Sequence, residues 1–275
     1  MYNHAATQNN LARLREFGYI VADPASGLMA CGEDGPGRLP ELDEARKVLL
    51  GVFSEADLVG EKIVITAGPT REPMDPVRYV SNPSTGKMGY ALAQTAQHRG
   101  AEVVLVSGPT ALAPPNGVDL IRVTTAAEMY EAVLDNYEQA TIIVKSAAVV
   151  DFRPKKIADR KVKKDEAELT ITFARNPDIL KELGERKKRD GLPLLVGFAA
   201  ESHEHLAEGK RKLREKNLDL IVVNDITGDD AGFAADTNRV TLIDRTGAKE
   251  ELPLLSKEDA ANHIWDKVVQ LKNEK

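Results

Sequence analysis

From Lys62 onward, short runs of apolar, β-branched residues alternate with amphipathic stretches. Lys62-Ile63-Val64-Ile65-Thr66-Ala67-Gly68 reads as a buried strand that ends on a glycine. Val103–Val106, Leu120–Val123, Thr141–Val144, Leu194–Phe198 and Leu220–Val223 repeat the pattern. A polar loop, Pro69–Thr85, leads to a helix that opens at Gly86 and carries Met88, Ala91, Leu92 and Ala96 on one face. Further helical periodicity covers Ala126–Tyr137 and a stretch near residues 203–216. Wholly apolar strands alternating with helices predict an α/β fold whose mostly parallel sheet has helices on both faces. Val240–Ile243 and Glu250–Leu254 flank Arg245-Thr246-Gly247, which predicts a C-terminal β-hairpin, and a last helix spans about Lys257–Leu271.

The chain before Lys62 is different. It offers helical periodicity at Leu11–Phe17, a loop of small residues at Asp23–Pro40 and a second amphipathic helix at Leu42–Phe53. A segment of roughly 60 residues buries only a marginal core. The expected organisation is therefore an appended segment, 1–58, and a main domain, 59–275.

Composition narrows the function classes. The 275 residues carry 37 basic and 43 acidic side chains, a net charge of −6, which argues against a general nucleic-acid binder. Cys31 is the single cysteine, so neither a disulfide framework nor a cysteine-rich zinc site can form within the chain. The N-terminus lacks a basic region followed by an apolar run, and no apolar stretch reaches the roughly 20 residues of a membrane span. These features lead us to expect a reduced, cytoplasmic protein with no membrane partner.

In open parallel sheets, ligands bind beyond the carboxyl ends of the strands. After the first strand comes Pro83-Ser84-Thr85-Gly86-Lys87-Met88-Gly89 at a helix start. Backbone N–H groups there can hold an anion; Ser84 or Thr85 could equally act as an ordinary N-cap, with Gly89 permitting close helix–sheet packing. A phosphate-binding P-loop fails, because Ser81 stands at its first glycine and Met88 at its hydroxyl position. The dinucleotide pattern Gly-x-Gly-x-x-Gly fails at Ser84, which disfavours an ordinary NAD oxidoreductase. Basic charge gathers at Arg153–Asp165, with seven basic residues against two acidic, and at Lys210–Lys216, where Lys212 and Lys216 share a helix face. The first cluster reads as a loop. Both suit a small polyanion such as a nucleoside triphosphate, or a solvated surface in which Glu208 pairs with Lys212.

Several blocks together closely resemble phosphopantothenoylcysteine synthetase of coenzyme A biosynthesis. They are Ile65–Pro73, Asp75–Tyr79, Ser81–Gly89, Ala147-Ala148-Val149-x-Asp151-Phe152, Lys161–Lys164, Asn176–Ile179, Gly197–Glu201 and Lys216–Asp219. They occur in the family order over roughly residues 60–272. The leader is similar to the end of the FMN-dependent decarboxylase to which this synthetase is fused in many bacteria. Ala30–Arg38 looks like that enzyme's substrate clamp, Cys31 like its proton donor, and Met1-Tyr2 like the end of its Asn-x-x-Met-Tyr/Trp motif. On this resemblance the chain is expected to be a truncated bifunctional protein that keeps the synthetase, and FMN is not expected.

The resemblance implies a Rossmann-like fold and a ligase that joins 4′-phosphopantothenate and L-cysteine with CTP. An acyl-cytidylate forms with loss of pyrophosphate, and the cysteine amine then displaces CMP. It implies that Asn82, Lys161 and Arg78 handle the intermediate. Arg78 lies near the pantothenate substrate, reached from the second subunit of a homodimer; Ala147 and Ala148 line the same substrate. Lys145, Ser146, Ala147, Asp151, Lys161, Pro177, Asp178, Ile179, Leu180, Phe198, Lys212 and Lys216 are implied to surround CTP, with Asp151 accepting from the cytosine amino group. Mg²⁺ is expected to bridge triphosphate oxygens with no assignable protein ligand. Two other classes stay open on the residues alone: a nucleotide-binding oxidoreductase lacking the usual glycine fingerprint, and a non-catalytic assembly scaffold.

Overall fold

The structure, a computed structural model, describes residues 1–161, 170–188, 191–201, 205–225 and 235–274. The chain divides into two units, Met1–Glu55 and Ala56–Lys275. The first contains α1 (Ala5–Glu16), β1 (Ala25–Leu28), β2 (Asp34–Arg38) and α2 (Leu42–Phe53). None of its described side chains is buried. Where the small-residue composition of Asp23–Pro40 predicts a loop, β1 and β2 form an antiparallel hairpin with Leu28 opposite Asp34. Backbone pairing rather than side-chain packing makes this ribbon, so no apolar alternation announces it.

The second unit begins with β3 (Lys62–Ala67), β4 (Arg71–Pro73), β5 (Tyr79–Ser81), α3 (Lys87–His98), β6 (Glu102–Ser107), β7 (Asp119–Arg122) and α4 (Ala126–Asp135). It continues through β8 (Ile142–Lys145), β9 (Phe152–Pro154), β10 (Phe173–Arg175), α5 (Ile179–Arg186), β11 (Leu194–Glu201), α6 (His205–Glu215) and β12 (Leu220–Asp225). It closes with β13 (Thr237–Asn238), β14 (Val240–Asp244), β15 (Lys249–Glu251), β16 (Leu255–Ser256) and α7 (Lys257–Asn273). Eight strands form one sheet in the order β15-β14-β12-β11-β8-β3-β6-β7. The run from β12 to β7 is parallel, and β14 and β15 add an antiparallel hairpin at one edge. This is the α/β, Rossmann-like sheet with a C-terminal hairpin that the pattern predicts.

Strand periodicity divides the core between the two faces of the sheet. On β3, Ile63 and Ile65 join Leu92 and Ala96 of α3 and Ile264, Trp265 and Val268 of α7. Val64 faces the other way, toward Met129 and Val133 of α4, Leu183 of α5 and Leu213 of α6. Two ribbons carry no apolar periodicity, β4–β5 inside the Pro69–Thr85 loop and β9–β10, whereas α5 repeats Ile179, Leu180 and Leu183 at helical spacing over only eight residues. The β9–β10 pair takes up the start of the basic stretch; Val162–Asp165 of that stretch and residues 203–204 of the helix expected near 203–216 lie outside the described residues.

Trp265 is the chain's only tryptophan and is fully buried between α7 and α3. Its indole N–H donates to Leu92 O (3.2 Å) and Thr95 Oγ1 (3.0 Å). Beside it, Arg99 donates to Asp57, Asp266 and the Asn262 carbonyl. Trp265→Ala is expected to cost about 3–5 kcal/mol of stability, read as a lower urea midpoint by far-UV circular dichroism; an unchanged midpoint would show that α7 is not anchored here.

Candidate functional site

In chain order, the six parallel strands follow the arrangement 3-2-1-4-5-6, so the connections leaving β3 and β8 diverge to opposite sides of the sheet. A crevice at that switch point is where such folds bind ligands. A cleft of about 260 Å³ lies there, with Gly68 beyond β3, Lys145–Val149 beyond β8, and Asn82 and Ser84–Gly89 leading into α3. Phe198, Ala199, Asn224, Asn238 and Lys257 complete its lining.

Buried hydroxyls hang the β8 loop on β3. Thr66 Oγ1 accepts from Ala147 N–H (3.2 Å) and Thr70 Oγ1 from Val150 N–H (3.0 Å). Gly68 O accepts from Ala148 N–H (3.0 Å). Asn82 adds a second tether: its side-chain amide donates to the carbonyls of Ala148 (3.1 Å) and Val149 (3.3 Å). Asn82 thus ties its own loop to the opposite lip of the cleft.

At the start of α3 neither Ser84 nor Thr85 is the N-cap. Gly86 is the N-cap with φ +81° and no side-chain cap bond. Ser84 Oγ instead accepts from Gly86 N–H, before the helix begins. A side chain at Gly86 would be strained by the left-handed backbone and would meet Thr110 Cγ2 at 2.7 Å. At Gly89 a Cβ would come 2.5 Å from Ala67 Cβ, so glycine is what lets α3 lie against β3.

The structure brings Asn82, Lys145, Ser146, Ala147, Ala148 and Phe198 together in the cleft lining. A second group stands around Lys145. Asp178 caps α5, accepting from Lys181 N–H (3.2 Å), and pairs with Lys216 at 2.9 Å. Burial opposes ionisation of Asp178, but Lys216 and the Lys181 N–H outweigh it and hold its carboxyl below the usual range. Lys212 faces Glu208 at 3.9 Å, while Arg211 makes the closer contact to the same carboxylate. Asp151 and Pro177 are exposed, and Ile179 and Leu180 are buried in the core. Arg78 grips Asp75 Oδ2 through Nε (3.0 Å) and Nη2 (2.7 Å) at the turn between β4 and β5. Lys161 is exposed, next to the undescribed residues 162–169.

Lys87, Asn224, Asn238 and Lys257 line the cleft although no motif singled them out as site residues. Asn224 was within reach of the sequence, since it stands at the carboxyl end of a parallel strand, where ligands gather. Asn238 and Lys257 carry no comparable signal, because pairing of β13 with β16 delivers them from elsewhere in the chain.

Two lysines in this lining are electrostatically unusual. Burial pushes the Lys145 ammonium down to about 8, with Lys216 and Lys212 adding repulsion and Asp151 and Asp178 opposing it. Burial also brings Lys257 to about 8, with Lys87 repelling and Asp236 opposing. Both are charged below that value and lose charge as the pH rises through it. Affinity for inorganic pyrophosphate, measured by calorimetry, is therefore expected to fall between pH 7 and 9, well below the range where ordinary lysines titrate near 10.4. Constant affinity across that interval would show that neither ammonium faces the anion.

The family model of the DNA/pantothenate metabolism flavoprotein C-terminal domain matches residues 58–271. The coenzyme A biosynthesis bifunctional protein CoaBC of Bacillus subtilis (strain 168) is 48% identical over 275 residues, spanning 98% of this chain and 67% of its own length. The crystal structure of the C-terminal domain of a CoaBC protein superposes with a TM-score of 0.69 at 42% identity, covering 80% of this chain and 100% of that one. A Cab2 mutant in complex with phosphopantothenate-cysteine shares the fold, with a TM-score of 0.65 at 16% identity over 86% of this chain and 96% of its own. By the match across its main domain and by its kinship with CoaBC, the chain belongs to the DNA/pantothenate metabolism flavoprotein C-terminal domain family.

Proposed function

We propose that the chain is a ligase of coenzyme A biosynthesis that joins 4′-phosphopantothenate and L-cysteine at the expense of CTP. The observation that carries this reading is the switch-point cleft, where Asn82, the Lys145–Ala148 loop and the uncapped start of α3 meet. A carboxylate oxygen is a poor leaving group, so the acid must be activated before an amine can displace it. In this reading the substrate carboxylate attacks the α-phosphate of CTP. The new O–P bond forms as the bond to pyrophosphate breaks. The cysteine amine then attacks the acyl carbon, the bond to CMP breaks, and the amine proton is lost to water. Such chemistry needs no covalent nucleophile from the protein. It needs positioning and charge neutralisation, which fits a cleft lined by lysines, small side chains and backbone N–H groups.

Mg²⁺ enters this reading on the nucleotide. Among the described residues, no three His, Cys, Asp or Glu side chains converge as a cation site. In this reading the cation would be held mainly by phosphate and water oxygens and would neutralise phosphate charge. On the same reading Asp151 accepts from the cytosine amino group, Pro177–Leu180 and Phe198 border the base and ribose, Lys212 and Lys216 contact the phosphates, and Lys161 engages the triphosphate or the intermediate. The Met1–Glu55 unit, with exposed Cys31 in the β1–β2 turn, is read as the decarboxylase-derived segment and takes no part in this chemistry.

We further assign a homodimer to the two ribbons beside the cleft. β4–β5 and β9–β10 lie together, with Ala158 N–H donating to Met74 O (3.0 Å). They present Val77, Tyr79, Phe152, Ile157 and Phe173 to solvent. Burial of such a patch against a second copy would carry Arg78 toward the partner's cleft. Val77→Glu is expected to shift the species seen in sedimentation velocity from dimer to monomer; an unchanged profile removes these ribbons from the interface.

The ligase reading is tested by incubating the protein with CTP, 4′-phosphopantothenate and cysteine and measuring pyrophosphate, CMP and 4′-phosphopantothenoylcysteine. All three are expected in equal amounts. Asn82→Asp sets a carboxylate against the carbonyls of Ala148 and Val149 and against the phosphoryl group. It is expected to let acyl-cytidylate build up before cysteine is added. Lys161→Gln is expected to lower the overall rate by about 10²–10³ with little loss of stability. Absence of pyrophosphate release from the unmodified protein, or full rates in both variants, would overturn the assignment.

A further inference from the structure

β12 buries Leu220 and Val222 on the face of the sheet that carries α3 and α7. Side chains alternate along a strand, so Asn224 is the next residue on that face. Its backbone stands in register with Ala200 of β11 and Val240 of β14. It is 8% exposed and lines the cleft with Phe198, Asn238 and the start of α3. An amide therefore occupies a position where the period of its own strand calls for an apolar side chain. Among the described residues, Asn224 Oδ1 is the only fully buried side-chain nitrogen or oxygen that has no hydrogen-bond partner in the protein.

A buried amide oxygen without a donor costs stability, because the hydrogen bond it makes to water in the unfolded chain is not replaced. Such atoms are rare in folded proteins, and this one belongs to the wall of a ligand cleft. Oδ1 is shielded from solvent, but the last torsion of an asparagine is soft. A small turn of the amide therefore presents the oxygen to a donor that enters the cleft. Phosphate oxygens cannot serve, since they are acceptors themselves; the group that completes Asn224 carries an N–H or an O–H. Its side of the sheet selects the ligand. In the ligase reading the nucleotide is bordered by α5 and α6, which pack on the opposite face through Leu183 and Leu213. Asn224 shares its face with α3, where that reading sets the acid substrate beside Asn82 and Ala148. We infer that Asn224 positions the acid substrate by accepting a hydrogen bond from its amide N–H or its free hydroxyl. From β8 to β12 is two strand spacings, about 10 Å, a span that the extended acid covers. The inference deepens the ligase reading and rests on it for the name of the acid.

The test uses the full chain and direct binding, so it does not depend on turnover. 4′-Phosphopantothenate and CTP are each titrated by calorimetry into the unmodified protein and into Asn224→Leu, which removes the amide with little change of shape. The variant is expected to weaken 4′-phosphopantothenate about tenfold and to leave CTP within about twofold. Because it also removes the unpaired oxygen, its thermal midpoint is expected to match or exceed that of the unmodified protein. A merely structural amide gives the opposite pattern, a lower midpoint with both affinities intact, and that result overturns the inference. So does a loss confined to CTP, or an equal loss for the two compounds. Two analogues of the acid identify the donor, one with an ester in place of the amide and one without the free hydroxyl. One of them is expected to bind the unmodified protein about tenfold more weakly than the acid does, and to match the acid on Asn224→Leu. If neither analogue shows that difference, Asn224 is not the acceptor. Should Asn224→Leu not fold, Asn224→Ala decides by the same affinities. No binding of either compound to the unmodified protein overturns the inference together with the ligase reading. Full turnover with acid binding indifferent to Asn224 overturns the inference alone. Acid binding that depends on Asn224 without turnover overturns the proposed reaction and leaves this site standing.

Discussion

The site depends on one constraint: two neighbouring parallel strands, β3 and β8, send their connections to opposite faces of the sheet. The crevice this creates would be a loose gap if the loops beyond it were free. They are not. Thr66, Gly68 and Thr70, on and just after β3, hold Ala147, Ala148 and Val150 after β8 through hydroxyl and carbonyl acceptors. Buried polar groups of this kind are satisfied only in one register, so the bonds at the carboxyl ends of these central strands also fix the floor of the cleft. Asn82 then ties the far lip to the same loop. Fold and site are therefore one network, and a change to either threonine would disturb both.

The charges in the cleft work against the fold when no anion is present. Lys145 and Lys257 have folded-state values of about 8 against an ordinary value of 10.5. Below about 8 both are charged, and burial of that charge costs stability in full. Between about 8 and 10.5 the unfolded chain binds more protons than the folded one, so stability contributed by these groups rises with pH across that window. A polyanion reverses the balance, because it favours the charged form in the folded state alone. Other buried ions in the domain are compensated internally: Arg99 lies between Asp57 and Asp266, and Lys187 meets Asp219 at 2.6 Å. Ion pairs at the base of the sheet and along α7 thus hold structure.

Most of the fold was legible because it is built on period. Each parallel strand is an apolar run, and each long helix repeats an apolar face, so β3, β6, β8, β11, β12, α3 and α7 announce themselves. The elements that stayed hidden are those whose stability is not local. β1–β2, β4–β5 and β9–β10 are ribbons whose strands have three to five residues joined by backbone hydrogen bonds, and α5 has only eight residues. The site followed the same rule. Topology directed attention to the segments beyond strand ends, while the family resemblance supplied Lys145–Ala148, Asn82 and Phe198 by residue. Thr66 and Thr70 read as ordinary strand and turn residues, because their hydroxyl partners lie on a loop distant in sequence.

Lys257 shows why such residues escape a reading along the chain. The parallel strands provide the floor of the cleft, but its remaining wall comes from the antiparallel C-terminal addition. That addition reaches the cleft because α7 docks on α3 through Trp265 and Arg99. The β13–β16 bridge then sets Asn238 beside Lys257 at the helix start. Nothing in Ser256-Lys257-Glu258-Asp259 distinguishes its lysine from a solvated first-turn residue, and Ser256 caps the helix in the ordinary way. What distinguishes it is burial, which no local pattern encodes and which only the completed packing creates. The last helix of the chain thus brings a lysine into the cleft lining, and the anchoring of α7 on α3 sets that wall of the cleft.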